Sequence, residues 1–134
     1  MYEVMVSWEH PDALTDQPAF IRDFAAIWRA AEKVVYSRTL EQPSSDRTRV
    51  ERRFDPQAVG AMKSAAIRDL SIGGPQLAAE AIKAGLVDEW QLFFVPVLIG
   101  GGTPIFPRAA RERLALSEQR RFGSGTVFLR YRTA

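Results

Sequence analysis

Apolar positions recur along this chain with two different periods. From Phe20 to Ala31 they fall at helical spacing, with Phe20, Ile21, Phe24, Ile27, Trp28 and Ala31 on one face. That spacing predicts an amphipathic helix capped by Thr15 or Asp16. Before it, residues 2–8 (YEVMVSW) read as a helix or strand fragment with no preceding cap. After it, Lys33–Tyr36 (KVVY) reads as a strand, residues 41–47 (EQPSSDR) as a loop and Thr48–Arg53 as a short strand. Asp55-Pro56 opens another helix by a cap and a first-turn proline, with Val59, Met62 and Ala66 facing inward.

The stretch from Asp69 to Pro107 carries the most information. Leu70 and Ile72 end a short apolar strand, and Gly73-Gly74 makes the turn after it. Pro75 stands at a first helical position, where its missing N–H has no partner to lose. Leu77, Ala78, Ala81 and Ile82 form one apolar face, and Gly85 stops the helix. Trp90 to Ile99 is almost continuously apolar, which suits a strand buried on both faces of a parallel sheet. These pieces predict a βαβ unit. A glycine turn at a helix start points free N–H groups and the positive end of the helix dipole outward together, so a phosphate-bearing cofactor is expected there. Towards the C-terminus, Leu114–Phe122 and Thr126–Tyr131 flank Gly123-Ser124-Gly125, and Val127, Leu129 and Tyr131 alternate as in an antiparallel hairpin. The predicted fold is α/β: a mostly parallel central sheet flanked by helices, closed by a C-terminal antiparallel hairpin.

Bulk properties narrow the function classes. At 134 residues the chain reads as one domain, 1–134, able to bury roughly two-thirds of its unfolded surface. Its 46% hydrophobic and 25% charged residues are ordinary for a soluble globular protein. No apolar run reaches transmembrane length and no signal-peptide pattern opens the chain, so the expected location is cytoplasmic and no membrane partner is expected. With no cysteine there is neither a disulfide framework nor a thiolate zinc site, and no metal is expected. The net charge is only +2. Arg108, Arg111 and Arg113 make a modest cluster that reads as a solvated face, so nucleic acid is not an expected partner. His10, the one histidine, sits in a polar loop beside Pro11 and reads as a surface residue. Trp8, Trp28 and Trp90 are most simply core or rim aromatics, with Trp8 the best placed to line a pocket. Asp88-Glu89 reads as a charged strand start. Gly100-Gly101-Gly102-Thr103-Pro104 is either a second ligand loop or a turn that lets the strand leave the sheet.

Three segments together resemble one family. GGPQLAAEAIKAGLVDEWQLFFVPVLIGGGTPIF is similar to the signature of the reductase domain of riboflavin biosynthesis, the RibD C-terminal family, which shares the dihydrofolate reductase fold. VVYSRTL resembles a second signature of that superfamily, and MYEVMVSWE resembles the segment just after a Gly-Arg pair in the same proteins. The resemblance implies an NADPH-dependent, commonly homodimeric reductase. Such a domain transfers hydride to a small heterocycle of pyrimidine or pterin type, and is related to the 5-amino-6-(5-phosphoribosylamino)uracil reductase. It implies that Ser37, Arg38 and Thr39 hold the adenosine 2′-phosphate, and that Gly73, Gly74, Pro75, Gln76 and Leu77 hold the pyrophosphate and nicotinamide side. The residue chemistry agrees: a guanidinium fork with two hydroxyls suits a phosphate, and glycines let a pyrophosphate approach the backbone. Taken singly, each turn is more often an ordinary turn.

Two departures from the family pattern bear on function. The family carries further strands, with an Asp-Gly turn and the Gly-Arg pair, ahead of the position of Met1. Ile72 also stands where riboflavin-pathway reductases tend to have a glutamate before the Gly-Gly. The resemblance therefore favours the broader dihydrofolate-reductase-like branch and names no catalytic acid. The alternative is a non-catalytic, dimerising or ligand-binding remnant of the same fold.

Overall fold

The computed structural model describes residues 1–10, 14–108 and 110–134. The chain divides into two compact units, Met1–Asp55 and Pro56–Ala134.

The first unit opens with α1 (Tyr2–Met5), a 3-10 turn over Val6–Glu9 and the helix α2 (Ala19–Ala30). Pro18, in an extended conformation (φ −54°, ψ 153°), occupies the N-cap position of α2, with no side-chain cap. This corrects the expected Thr15 or Asp16 cap. A proline disfavours helical backbone at the residue before it, so the helix cannot run back past Gln17. Ala25 of α2 is fully buried and Trp8 packs edge-on against Phe24, with ring centroids 5.0 Å apart. Phe20 and Ile27 stay largely exposed. Strands β1 (Lys33–Tyr36) and β2 (Thr48–Glu51) pair in parallel, Lys33 opposite Thr48 and Tyr36 opposite Glu51. Their connection is tied down where the Tyr2 hydroxyl accepts the Ser44 amide at 2.9 Å and meets Ser45 Oγ at 2.8 Å.

The second unit holds α3 (Pro56–Ala65), α4 (Pro75–Lys83) and the strands β3 (Glu89–Phe94), β4 (Leu114–Arg121) and β5 (Val127–Thr133). Helix α3 begins at the expected proline, but none of its residues is buried, and Ala66 lies beyond its end. Helix α4 begins at Pro75 as the pattern predicts, and its inward face holds the buried Ala81 and Ile82. Its end is a Schellman turn: Leu86 N–H donates to Ala81 O, and Gly85 N–H donates to Ile82 O with Gly85 at φ +65°. The C-terminal hairpin lies within a residue or two of its expected bounds, with a bulge between Leu116 and Glu118.

The sheet differs from the expected one. Residues 70–72 form no strand, so the βαβ unit is not closed. Strand β3 ends at Phe94 rather than Ile99, and pairs antiparallel with β5, Trp90 opposite Tyr131 and Leu92 opposite Leu129. The three-stranded sheet runs β3-β5-β4, all antiparallel. The described strands thus form a parallel pair and an antiparallel trio, not a mostly parallel sheet. Strand β5 supplies six consecutive partners to β3, from Glu89 opposite Arg132 to Phe94 opposite Val127, which the short 70–72 segment cannot. The expected burial of β3 on both faces fails with its pairing: Trp90 is buried, while Phe93, Val95 and Val97 are more than half exposed. Among the described residues no large side chain is fully buried.

Candidate functional site

The Ser37-Arg38-Thr39 turn lies in the first unit, directly after β1. The parallel ladder reaches one bond into it, where Ser37 N–H donates to Glu51 O at 2.9 Å. Ser37 Oγ then accepts the amides of Leu40 at 3.0 Å and Thr39 at 3.3 Å. This is a serine turn, in which the side chain replaces a backbone acceptor. The Ser37 and Thr39 hydroxyl oxygens lie 3.5 Å apart. Arg38 is exposed between them, and no acidic or carbonyl partner faces its guanidinium among the described residues. The turn therefore carries an exposed cation between two hydroxyl residues in sequence, without a partner among the described residues.

Sequence reasoning missed Arg52. Its Nη1 donates to Ser37 O at 3.2 Å and to Leu40 O at 2.7 Å, clasping the turn from outside. Only a strand end rich in arginines (RVERRF) marks it in the sequence. Tyr36, the last residue of β1, packs on Phe54 with centroids 5.6 Å apart. Burial pushes its phenol above the ordinary tyrosine range, and the Glu51 carboxylate adds to that.

The Gly73-Gly74-Pro75-Gln76-Leu77 turn lies in the second unit, where it opens α4. Gly74 takes φ +91°, ψ 122°, a backbone that a side chain strains. Gly74 O accepts the Ala78 amide at 2.9 Å, the first bond of the helix. No side chain caps this end, and no acceptor among the described residues faces the Gln76 and Leu77 amides. Gly73 and Gln76 are exposed, while Leu77 is half-buried on the inward face. Two free amides, an exposed glycine and the positive end of the α4 dipole make an arrangement that fits an anionic group. The structure thus builds each predicted turn locally, one in each unit.

The other candidates fall elsewhere. A concavity of about 340 Å³ lies at the C-terminal end of α4, lined by Ile82, Lys83, Pro107, Arg108, Arg111 and others. It includes none of the predicted cofactor residues. The helix start, with its unpaired donors, is the better marker of chemistry than this open hollow. Gly100 (φ +74°) and Gly102 (φ +131°) take left-handed conformations in an exposed loop. Trp8 packs on α2 and its carbonyl accepts Arg29 Nη1 at 3.1 Å, so it serves packing. His10 is exposed. Glu89, at the start of β3, faces Arg130 at 3.2 Å and Arg132 at 3.6 Å. The Gln91 side-chain hydrogen bond, followed by these arginines, holds its carboxyl below the usual glutamate range. Among the described residues no cluster of three metal-ligating side chains occurs, and no helix is long and apolar enough to cross a membrane.

Comparison with known proteins gives a family and a fold. The family model for the RibD C-terminal domain matches residues 9–128. A solved structure from Shewanella sp. PV-4, described as a candidate riboflavin biosynthesis protein, is similar with a TM-score of 0.64 at 19% identity, covering 75% of this chain and 59% of that one. A pyrimidine reductase-like protein from Corynebacterium diphtheriae NCTC is similar with a TM-score of 0.53 at 20% identity, covering 89% of this chain and 47% of that one. The chain thus spans less than two-thirds of the length of either. No curated protein matches it.

Proposed function

The chain belongs to the RibD C-terminal domain family, and from that premise we propose that it acts as an NADPH-dependent reductase domain of dihydrofolate-reductase-like fold. One observation carries this reading: the chain has two turns suited to phosphate, each built by its own local chemistry. At the first, an exposed Arg38, with no partner among the described residues, lies in sequence between Ser37 and Thr39, whose hydroxyls are 3.5 Å apart; this residue set suits a 2′-phosphate. At the second, Gly73 and Gly74 leave the backbone open, and the Gln76 and Leu77 amides are free to donate to a pyrophosphate.

A bound nicotinamide supplies the hydride; the protein supplies position and dryness. Pro75 fixes the first turn of α4, so the two free amides are held in place before a ligand arrives. Leu77, half-buried beside them, offers an apolar wall. The substrate that best suits the relatives' descriptions is a small heterocycle, pyrimidine- or pterin-like. On this reading it works in the cytoplasm and as a homodimer.

Calorimetric titration of the full chain with NADPH and NADH tests the reading. NADPH should bind more tightly by about one to two decades, the equivalent of roughly 1.5–3 kcal/mol for a charge-assisted contact. Arg38→Ala should abolish the preference. Equal affinities in the unmodified chain contradict the assignment. A panel of pyrimidines and pterins, with NADPH oxidation followed optically, then identifies the substrate class.

A further inference from the structure

We propose that Arg52 is a positioning residue for cofactor selectivity, acting through the backbone of the Ser37–Leu40 turn. The inference rests on the reading of Arg38 as the 2′-phosphate contact. A turn that discriminates between two dinucleotides by one phosphate must hold its cation in a fixed place, because the contact loses strength quickly with misalignment. Three devices hold this turn. The Ser37 amide is fixed by Glu51 O at the end of the parallel ladder. Ser37 Oγ holds the Thr39 and Leu40 amides. Arg52 Nη1 holds the carbonyls of Ser37 and Leu40, the residues that bracket Arg38 and Thr39.

The first two devices act within the turn or on its entry. Arg52 alone reaches across from the end of β2 to fix entry and exit together. One nitrogen serves both carbonyls, so the guanidinium sits astride the turn with its position doubly determined. These two arginines therefore divide the work. Arg52 spends Nη1 on two backbone oxygens, and Arg38 keeps its donors for a ligand.

The test measures two quantities on the full chain: the ratio of NADPH to NADH affinity, and hydrogen exchange of the Thr39 and Leu40 amides without ligand. Arg52→Ala should lower the ratio by about three- to tenfold, a part of the one to two decades expected from the Arg38 contact itself, and should speed exchange at both amides. Arg52→Lys should keep most of the ratio, because an ammonium can donate to both carbonyls. Arg52→Gln, too short to span them, should not; this pair carries the test if Arg52→Ala fails to fold. A fall in the ratio with unchanged exchange would make Arg52 a direct phosphate ligand and overturn the positioning role. An unchanged ratio in Arg52→Ala, with Arg38→Ala abolishing the preference, would overturn the inference while leaving the reading of Arg38 intact. A preference that survives Arg38→Ala would overturn both.

Discussion

Lys33 Nζ and Glu9 Oε1 lie 3.6 Å apart with their side chains only 7% and 11% exposed. The ammonium also donates to the carbonyls of Trp28 and Ala31 at 3.0 Å each, and stands 5.0 Å from the Trp28 ring centroid. Lys33 thereby caps the C-terminal end of α2, where free carbonyls and the negative end of the helix dipole favour a cation. It also joins the 3-10 turn, α2 and β1 at one point. Removing one partner of a buried ion pair leaves the other uncompensated, at a cost of roughly 3–5 kcal/mol. Lys33→Met should therefore destabilise the chain by about 3 kcal/mol in urea unfolding. Glu9→Leu in the same chain should recover at least half of that loss. A cost below about 1 kcal/mol for Lys33→Met would show the pair to be solvated.

Tyr36 predicts an alkaline limit on stability. Its folded pKa is raised by burial first, then by Glu51. The native state thus holds this proton more tightly than the unfolded chain. The associated stability is fully present below the ordinary tyrosine range and is lost as pH rises through the raised value. Tyr2 shifts the other way: burial raises its pKa, but the hydrogen bonds from Ser45 and Ser44 together outweigh that. Absorbance titration should show Tyr2 ionising before Tyr36. Tyr36→Phe should remove the later phase and reduce the alkaline loss of stability. Tyr36 ionising together with Tyr2 would contradict the burial of the Tyr36 phenol.

The apolar run after β3 predicts self-association. Val97 is 65% exposed and Ile99 80% exposed, and Val95 and Phe106 are exposed as well; apolar side chains left in water near one another favour burial against a partner. A homodimer burying roughly 1,200 Å² or more is expected. Light scattering at micromolar concentration should give about twice the 15.0 kDa chain mass. Ile99→Asp should return it to a monomer. A 15.0 kDa particle in the unmodified chain contradicts the interface.

Local chemistry was legible in the residues; pairing across the chain was not. Pro75 and Gly85 marked the ends of α4 because a first-turn proline and a left-handed glycine are decided within a few residues. The hairpin around Gly123-Ser124-Gly125 was legible for the same reason. The continuous apolar run from Trp90 carried no record of its partner. A strand buried in a parallel sheet and one exposed beside an antiparallel neighbour can share that composition. Thr15 and Asp16 looked like caps until Pro18 cut them off. Arg52 carried only the weak mark of an arginine-rich strand end, because its hydrogen bonds run to carbonyls 12 and 15 residues away. Lys33 read as a strand start, since nothing local discloses that Glu9 stands beside it.

Gly73 offers the sharpest discrimination at the second turn. A side chain at Gly74 is strained by its φ of +91° whether or not a ligand binds, so Gly74→Ala costs stability on any account. Gly73 has no positive φ and is exposed. A methyl group there meets no left-handed backbone strain, and on the proposed reading it stands where the pyrophosphate would approach the backbone. Melting temperature and NADPH affinity should be measured together on Gly73→Ala. The melting temperature should stay close to that of the unmodified chain while affinity falls by at least about tenfold, or about 1.4 kcal/mol. Unchanged affinity in the folded variant would mean that the turn only starts a helix, and would contradict its assignment as the pyrophosphate site.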